Sequence, residues 1–237
     1  MGAMTKTAAP LPAPADKAAA VRDMFDRIAP RYDLVNRIMT ARQDVRWRRR
    51  AIDTFTFEPG ALVLDLACGT GDFCIELARA HYRPIGVDSS AGMLDRARLR
   101  TDAELVNADI LALPIDDGAA AGITCGFALR NVVDIERCFA EMARVLRPGG
   151  QIAVLEVAEP STPLIRWAHA LYFGKVVPIV GGLISGDRAA YAYLPASTVY
   201  LPPTSELLDC VRRAGFTGVR HQRLGFGAAQ LITGRRQ

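Results

Sequence analysis

Apolar and polar positions alternate along the chain in two rhythms, a helical one over residues 21–40 and a strand-and-helix one from residue 61 onward. In VRDMFDRIAPRYDLVNRIMT, Met24, Phe25, Ile28, Leu34, Val35, Ile38 and Met39 recur at spacings that fit short amphipathic helices. The Ala29-Pro30 pair predicts a break between them, because proline brings no amide donor and disfavours helical geometry in the residue before it. This layer is placed to cover an apolar opening beside a central core.

Beyond it, residues 61–66 read as a buried strand, 73–80 as a helix, 84–87 as a strand and 93–100 as a crossover helix. Strands at 104–108, 123–126 and 151–157 follow, with a helix at 135–146 and a turn at Pro148, Gly149 and Gly150. A helix at 205–214 leads through Gly215 to two strands near Val219 and Gly227, the pattern of an antiparallel addition. Short apolar strands separated by helices predict an α/β fold, a mostly parallel, Rossmann-like sheet covered on both faces. The expected organisation is a mobile leader at 1–20, rich in Ala and Pro and without a signal-peptide core, then one domain over 21–237 with a substrate-side insertion at 160–203.

The segment LIRWAHALYFGKVVPIVGGLI stands apart, because Arg166, His169 and Lys175 interrupt its apolar groups and Pro178, Gly181 and Gly182 break its regularity. A simple transmembrane helix is therefore not expected. Lid packing, a partner interface, and an apolar-substrate or membrane-surface element remain open readings.

Composition narrows the chemistry only slightly. With 29 basic and 25 acidic side chains in 237 residues, the net charge of +4 identifies no polyanionic partner, and no nucleic acid is expected. The densest basic cluster, Arg42, Arg46, Arg48, Arg49 and Arg50 around Trp47, reads as a solvated helical face, as ion pairs, or as a site of attraction to phosphate or anionic lipid. Cys68, Cys74, Cys125, Cys138 and Cys210 contain no CxxC, and His81, His169 and His221 are dispersed, so reduced thiols and no metal are expected. A cytoplasmic enzyme, with peripheral contact at the inner face of the cell membrane as an option, is the starting expectation.

The chemistry concentrates at VLDLACGTGDFCIEL. A strand there would carry Asp65 to the carboxyl edge of the sheet, Gly69 and Gly71 would let the backbone approach a ligand, and a helix would begin near Asp72. GTGDFC lacks the full GxGxxG spacing, and the chain has no GxxxxGK[ST], so a dinucleotide or a phosphate loop is poorly supported. About 17 residues after Gly71, at the end of the second strand, Asp88 could accept hydrogen bonds from ribose hydroxyls, which points to a nucleoside cofactor rather than a structural carboxylate. Asp109 and Ile110 follow the third strand and could meet the polar edge and the face of adenine, or cap a loop. Thr70 and Asp65 could organise the turn, Asp65 by satisfying backbone donors.

FDRIAPRYDLVN at 25–36, VLDLACGTGD at 63–72, GFALRNVVD at 126–134 and RVLRPGG at 144–150, with EVAEP and DRAAYAYL, resemble the ubiquinone and menaquinone biosynthesis C-methyltransferase family over most of residues 21–234. The resemblance implies a class I methyltransferase fold and S-adenosyl-L-methionine as cofactor. It also implies methyl transfer to a ring carbon of a prenylated quinol, demethylmenaquinol or a polyprenyl methoxybenzoquinol. It assigns acceptor chemistry to Arg130 and Asn131 of FALRN and, from the N-terminal layer, Tyr32; Tyr191 and Tyr193 would line the acceptor pocket or pack the core. The chain departs from the family pattern at Pro195, Phe226 and Ile232, changes that bear on the prenyl channel or on the acceptor. Another aromatic or polyketide acceptor, and an inactive cofactor-binding scaffold, are the competing readings.

Overall fold

The computed structural model describes Pro12, residues 16–160 and residues 162–237, apart from the side chains of 168–170, 173, 175 and 185. Of the stretch expected as a leader, residues 1–11 and 13–15 lie outside the described residues, while a helix already begins at Lys17. That helix, α1 (Lys17–Thr40), is followed by α2 (Gln43–Ile52), β1 (Leu62–Leu66), α3 (Asp72–Arg79), β2 (Arg83–Asp88), α4 (Ala91–Arg98) and β3 (Glu104–Asn107). Then come β4 (Ala120–Gly126), α5 (Ile135–Val145), β5 (Leu146–Val157), α6 (Pro163–Leu171), α7 (Val177–Ser185), α8 (Arg188–Ala196), α9 (Thr204–Arg213), β6 (Phe216–Leu224) and β7 (Ala229–Arg236).

The strands form one sheet in the order β3-β2-β1-β4-β5-β7-β6. The first five are parallel, and β7 and β6 add antiparallel to β5 and to each other. Parallel strands need crossovers, and helices with local start signals supply three of them, while β3 reaches β4 through residues 108–119 without a helix. Ser90 Oγ accepts from the Met93 amide at 3.1 Å to cap α4, and Asp134 accepts from the Arg137 amide at 2.9 Å to cap α5. One face of the sheet packs Leu64, Ile123 and Val154 against Phe139 and Met142 of α5 and Leu207 and Val211 of α9. The other face packs Val63, Ala153 and Leu155 against Ile52, Phe73 and Leu77 of α2 and α3. A fully buried side chain of this kind contributes about 1.5–3 kcal/mol.

Three expectations need correction. First, α1 runs unbroken through Pro30. An interior proline costs about 3 kcal/mol. Here Met24, Ile28, Ala29 and Val35, from both sides of it, bury into a single cluster with Met93, Tyr191 and Tyr193, and that shared burial keeps the two halves in line. Second, the last strand starts at Ala229, because Gly225–Gly227 forms a tight turn. Third, Gly181 and Gly182 are not a flexible break but lie inside α7; a Cβ at Gly181 would stand 2.4 Å from the Tyr191 ring, so glycine there permits close approach of α7 and α8. Pro195 is absorbed in the last turn of α8 before a 3-10 turn at Ser197–Tyr200.

A five-residue π turn, Tyr172–Val176, separates α6 from α7, and the Tyr172 hydroxyl donates to the Met39 carbonyl at 3.0 Å, fixing this pair beside the end of α1. Leu164, Trp167 and Leu171 on α6, and Val176, Ile179 and Leu183 from the π turn into α7, are exposed at helical spacing. Among the described residues, no helix is long and apolar enough to cross a membrane. All five cysteines are buried and free, and no group of metal-ligating side chains occurs among the described residues.

Candidate active site

At the carboxyl end of β1 the chain turns through Ala67, Gly69 and Gly71 at φ of +54°, +55° and +84°, then enters α3 at Asp72. The left-handed angles are the reason for glycine here, and a Cβ at Gly71 would also come within 3.1 Å of Thr101. The turn is stitched to the end of β2. Asp88 accepts from the Gly69 amide at 2.8 Å with one oxygen and from the Ser90 amide at 2.8 Å with the other. Burial raises the pKa of the Asp88 carboxyl, against the pull of those two amides.

Above this edge lies a cleft roofed by Ala18, Val21, Phe25 and Tyr32 of α1. Gly69 and Asp88 form its floor, Met93, Ile110 and Leu111 one wall, and Phe127 and Asn131 its far end. Asp109 also lines it, with one carboxylate oxygen accepting from the Leu111 amide at 2.9 Å. Six residues expected at a site are therefore brought together here: Tyr32, Gly69, Asp88, Asp109, Ile110 and Asn131.

The other six surround the cleft without lining it. Asp65 is buried beneath the turn, accepting from Thr124 Oγ1 at 2.9 Å and from the Cys74 thiol at 3.6 Å, and burial pushes its carboxyl up to about 7. Gly71 packs toward Thr101 and Ala97, and Thr70 turns to a charged network. The Thr70 hydroxyl donates to Asp33 at 2.5 Å, and Arg100 reaches Asp33 and Asp72. Burial alone would raise the Asp72 carboxyl, but the guanidiniums of Arg48 and Arg100 hold it below its usual range.

Arg130 is almost wholly buried behind the cleft. Its guanidinium pairs with Glu156, which also accepts from the Arg130 amide at 3.2 Å and from the Val157 amide at 2.8 Å. Among the described residues, the Arg130 Nε hydrogen finds no acceptor. Tyr193 donates to Asn131 Oδ1 at 3.1 Å, and burial pushes its phenol up to about 12. Tyr191 is buried against α7, and its hydroxyl has no hydrogen-bond partner among the described residues. Burial likewise raises the Tyr32 phenol, an effect opposed by two guanidiniums, Arg48 and Arg130. The FALRN segment reaches this position through Phe127, at φ +59°, whose backbone N–H donates to the Leu155 carbonyl at 2.6 Å.

Sequence reasoning missed Glu156, Arg48, Arg100 and Asp33. Glu156 carried a signal, a lone carboxylate at the end of the apolar run QIAVLEV, which burial on both faces requires to be paired. Arg48 was hidden in the basic cluster; it stacks over Phe73 and Phe127 and pairs with Asp44 at 2.5 Å.

Solved structures of methyltransferases share this architecture. An S-adenosylmethionine-dependent methyltransferase from Thermotoga maritima superposes with a TM-score of 0.67 at 21% identity, covering 91% of this chain and 99% of that one. Closer likeness lies in sequence. The chain is 43% identical to the demethylmenaquinone methyltransferase of Roseiflexus castenholzii, over 94% of its own length and 96% of that protein's. It is 38% identical to the ubiquinone/menaquinone biosynthesis C-methyltransferase of Geobacter sulfurreducens, over 92% and 89% of the two chains. The model of one family matches residues 14–236, and on these grounds the chain belongs to the ubiE/COQ5 methyltransferase family.

Proposed function

We propose that this protein is an S-adenosyl-L-methionine-dependent C-methyltransferase that methylates a prenylated quinol, demethylmenaquinol to menaquinol. The observation that carries the reading is one cleft lined both by the carboxylate and glycine turn of Asp88 and Gly69 and by Asn131, whose neighbour Arg130 is in a buried pair with Glu156. The overall reaction is donor plus demethylated quinol giving S-adenosylhomocysteine, methylated quinol and a proton.

The residues present fit the donor. Asp88 retains lone pairs beyond its two backbone bonds and would accept from the ribose diol, while Gly69 leaves open space where a side chain would stand. Met93 and Ile110 offer apolar faces to a purine, and Asp109 a polar partner for its edge. When bound, S-adenosyl-L-methionine supplies a methyl group already activated on a sulfonium.

The chain's own task is to position the ring and favour its more nucleophilic, deprotonated form. A guanidinium is no general base, and Arg130 is already paired with Glu156; its Nε hydrogen, which finds no acceptor among the described residues, is a donor in reserve. Asn131, held by Tyr193, would orient a quinol hydroxyl, and Tyr32 would close the ring from the roof. Phe25, Val21 and the other apolar groups of α1 exclude competing water. The exposed stripes of α6 and α7 would take the tail or meet the lipid surface where such an acceptor resides.

The test is mass-resolved product analysis with labelled donor and a panel of demethylmenaquinol, ubiquinone precursors and unprenylated phenols. Methyl incorporation at a ring carbon of the prenylated quinol is expected. Incorporation only into unprenylated phenols would replace the acceptor, and none into any acceptor would remove the activity.

A further inference from the structure

In the charged network outside the cleft, one guanidinium bridges three parts of the fold. Arg100 follows α4 in a loop, and its Nη1 donates to the Thr70 carbonyl at 2.7 Å and to the Thr70 hydroxyl at 2.6 Å. The same nitrogen lies 3.1 Å from Asp33, and Nη2 donates to Asp72 at 2.5 Å. Thr70 in turn donates to the other oxygen of Asp33 at 2.5 Å, so its hydroxyl is used in both directions. One guanidinium thus joins the glycine turn, the first residue of α3 and the roof helix α1.

The roof has further attachments, among them Arg27 to Asp187 at 3.2 Å, Arg31 to the Ile184 carbonyl at 3.0 Å and Met39 to Tyr172 at 3.0 Å. Asp26 accepts from the Ser90 hydroxyl at 2.5 Å and the Gly92 amide at 2.9 Å, and Lys17 donates to the Val132 carbonyl at 2.9 Å. Those hold α1 to α4 and to the FALRN side. The tie through Arg100 and Thr70 binds it to the glycine turn, one residue from Tyr32. A planar fork with several donors meets these oxygens at once, whereas a single ammonium cannot. Without the fork, Asp33 would lose its salt bridge to Arg100, and Asp72 would keep its contact with Arg48 at 3.5 Å.

We propose that Arg100 is a positioning residue for methyl transfer, clamping α1 to the glycine turn so that Tyr32 stands over the cleft. The proposal rests on the methyltransferase reading above. It makes the conformation of the turn and the closure of the roof one event, so that a well-formed donor loop and a closed roof over the acceptor ring arise together.

The experiment uses the full chain, Arg100→Met and Arg100→Lys, with three measurements: amide hydrogen exchange of the free protein, donor affinity by calorimetry, and turnover of demethylmenaquinol. In R100M, exchange over residues 31–38 should accelerate about tenfold while α9 and β5 keep wild-type protection. Turnover should fall about tenfold with donor Kd changed only about threefold, and R100K should lie between. Unchanged exchange over 31–38 would overturn the clamp, as would a loss confined to donor affinity. If R100M does not fold, R100K, D33N and the double variant are compared: non-additive effects on exchange support the clamp, and additive ones overturn it. Exchange is read without ligand, so a wild-type protein that turns over no quinol refutes the function and leaves the clamp test standing.

Discussion

The phenol of Tyr193 donates to the side-chain carbonyl of Asn131 at 3.1 Å, joining α8 to the FALRN segment across 62 residues of sequence. The bond decides which face of the Asn131 amide is free for an acceptor, and it places Tyr193 in the site without lining the cleft. Tyr193→Phe keeps the ring and removes only the hydroxyl. A net hydrogen bond is worth about 1 kcal/mol, so acceptor kcat/KM should fall about fivefold. Donor affinity, measured separately, should stay at the wild-type value; a loss there instead would place Tyr193 in donor binding.

Glu156 is the counter-charge of Arg130 in a fully buried setting. Glu156→Ala strands that charge, and breaking one side of a buried pair costs about 3–5 kcal/mol. Urea unfolding should show the loss, and Arg130→Met with Glu156→Leu together should regain much of it. A single variant as stable as the wild type would show that the pair contributes nothing to folding.

The partnership of these two residues shows how far the sequence was legible. Strand and helix rhythms are local, so the parallel sheet and its antiparallel ending could be read from spacing. Arg130 and Glu156 meet only because β4 and β5 pair with Gly126 opposite Leu155, a register that no local pattern encodes. The continuity of α1 through Pro30 was unreadable for a related reason, since the compensating burial comes from α4 and α8, far along the chain. Asp88, by contrast, was legible because a strand-end carboxylate near a glycine turn is a local feature, and it lines the cleft.

Asp65 gives a pH signature. Its carboxyl titrates at about 7 in the folded protein because burial disfavours the charge. An unfolded aspartate titrates near about 3.9, so between roughly pH 4 and 7 the folded state holds a proton that the unfolded chain has released. Stability contributed by this group is therefore greatest below that window and declines as pH rises through it. Thermal unfolding of Asp65→Asn, compared with wild type from acid to slightly alkaline pH, should show the variant gaining relative stability upward through the window. Parallel profiles would mean that Asp65 is ionised throughout.

Gly181→Ala tests the packing of α7 on α8. Its Cβ would stand 2.4 Å from the Tyr191 ring, and overpacking of this kind costs about 1–3 kcal/mol. The variant should unfold at lower temperature, with donor affinity unchanged because the cleft floor lies on other elements. Wild-type stability would show that α7 can shift freely away from Tyr191.

Leu183 is 81% exposed and Trp167 65% exposed, on the stripes assigned to the tail or the lipid surface. Trp167→Glu with Leu183→Glu should lower partition onto anionic vesicles about tenfold and spare turnover of an unprenylated quinol. Equal partition for variant and wild type would leave these stripes to packing with another macromolecule.

The buried thiols make the chain a reporter of its own opening. A thiol reacts as thiolate; the hydrogen bond with Cys74, then burial, raises the pKa of Cys68, and burial raises those of Cys125 and Cys138, so each stays silent toward a water-soluble alkylating reagent until its surroundings part. Cys68 and Cys74 share a small cluster with Leu94 beneath the glycine turn, whereas Cys138 lies in the core between the sheet and α5. Pulse alkylation followed by mass mapping would therefore time the two regions separately in one sample. A ligand seated on the glycine turn would lengthen the labelling time of the Cys68 and Cys74 pair, and the lag of Cys138 would mark how far that protection spreads through the sheet.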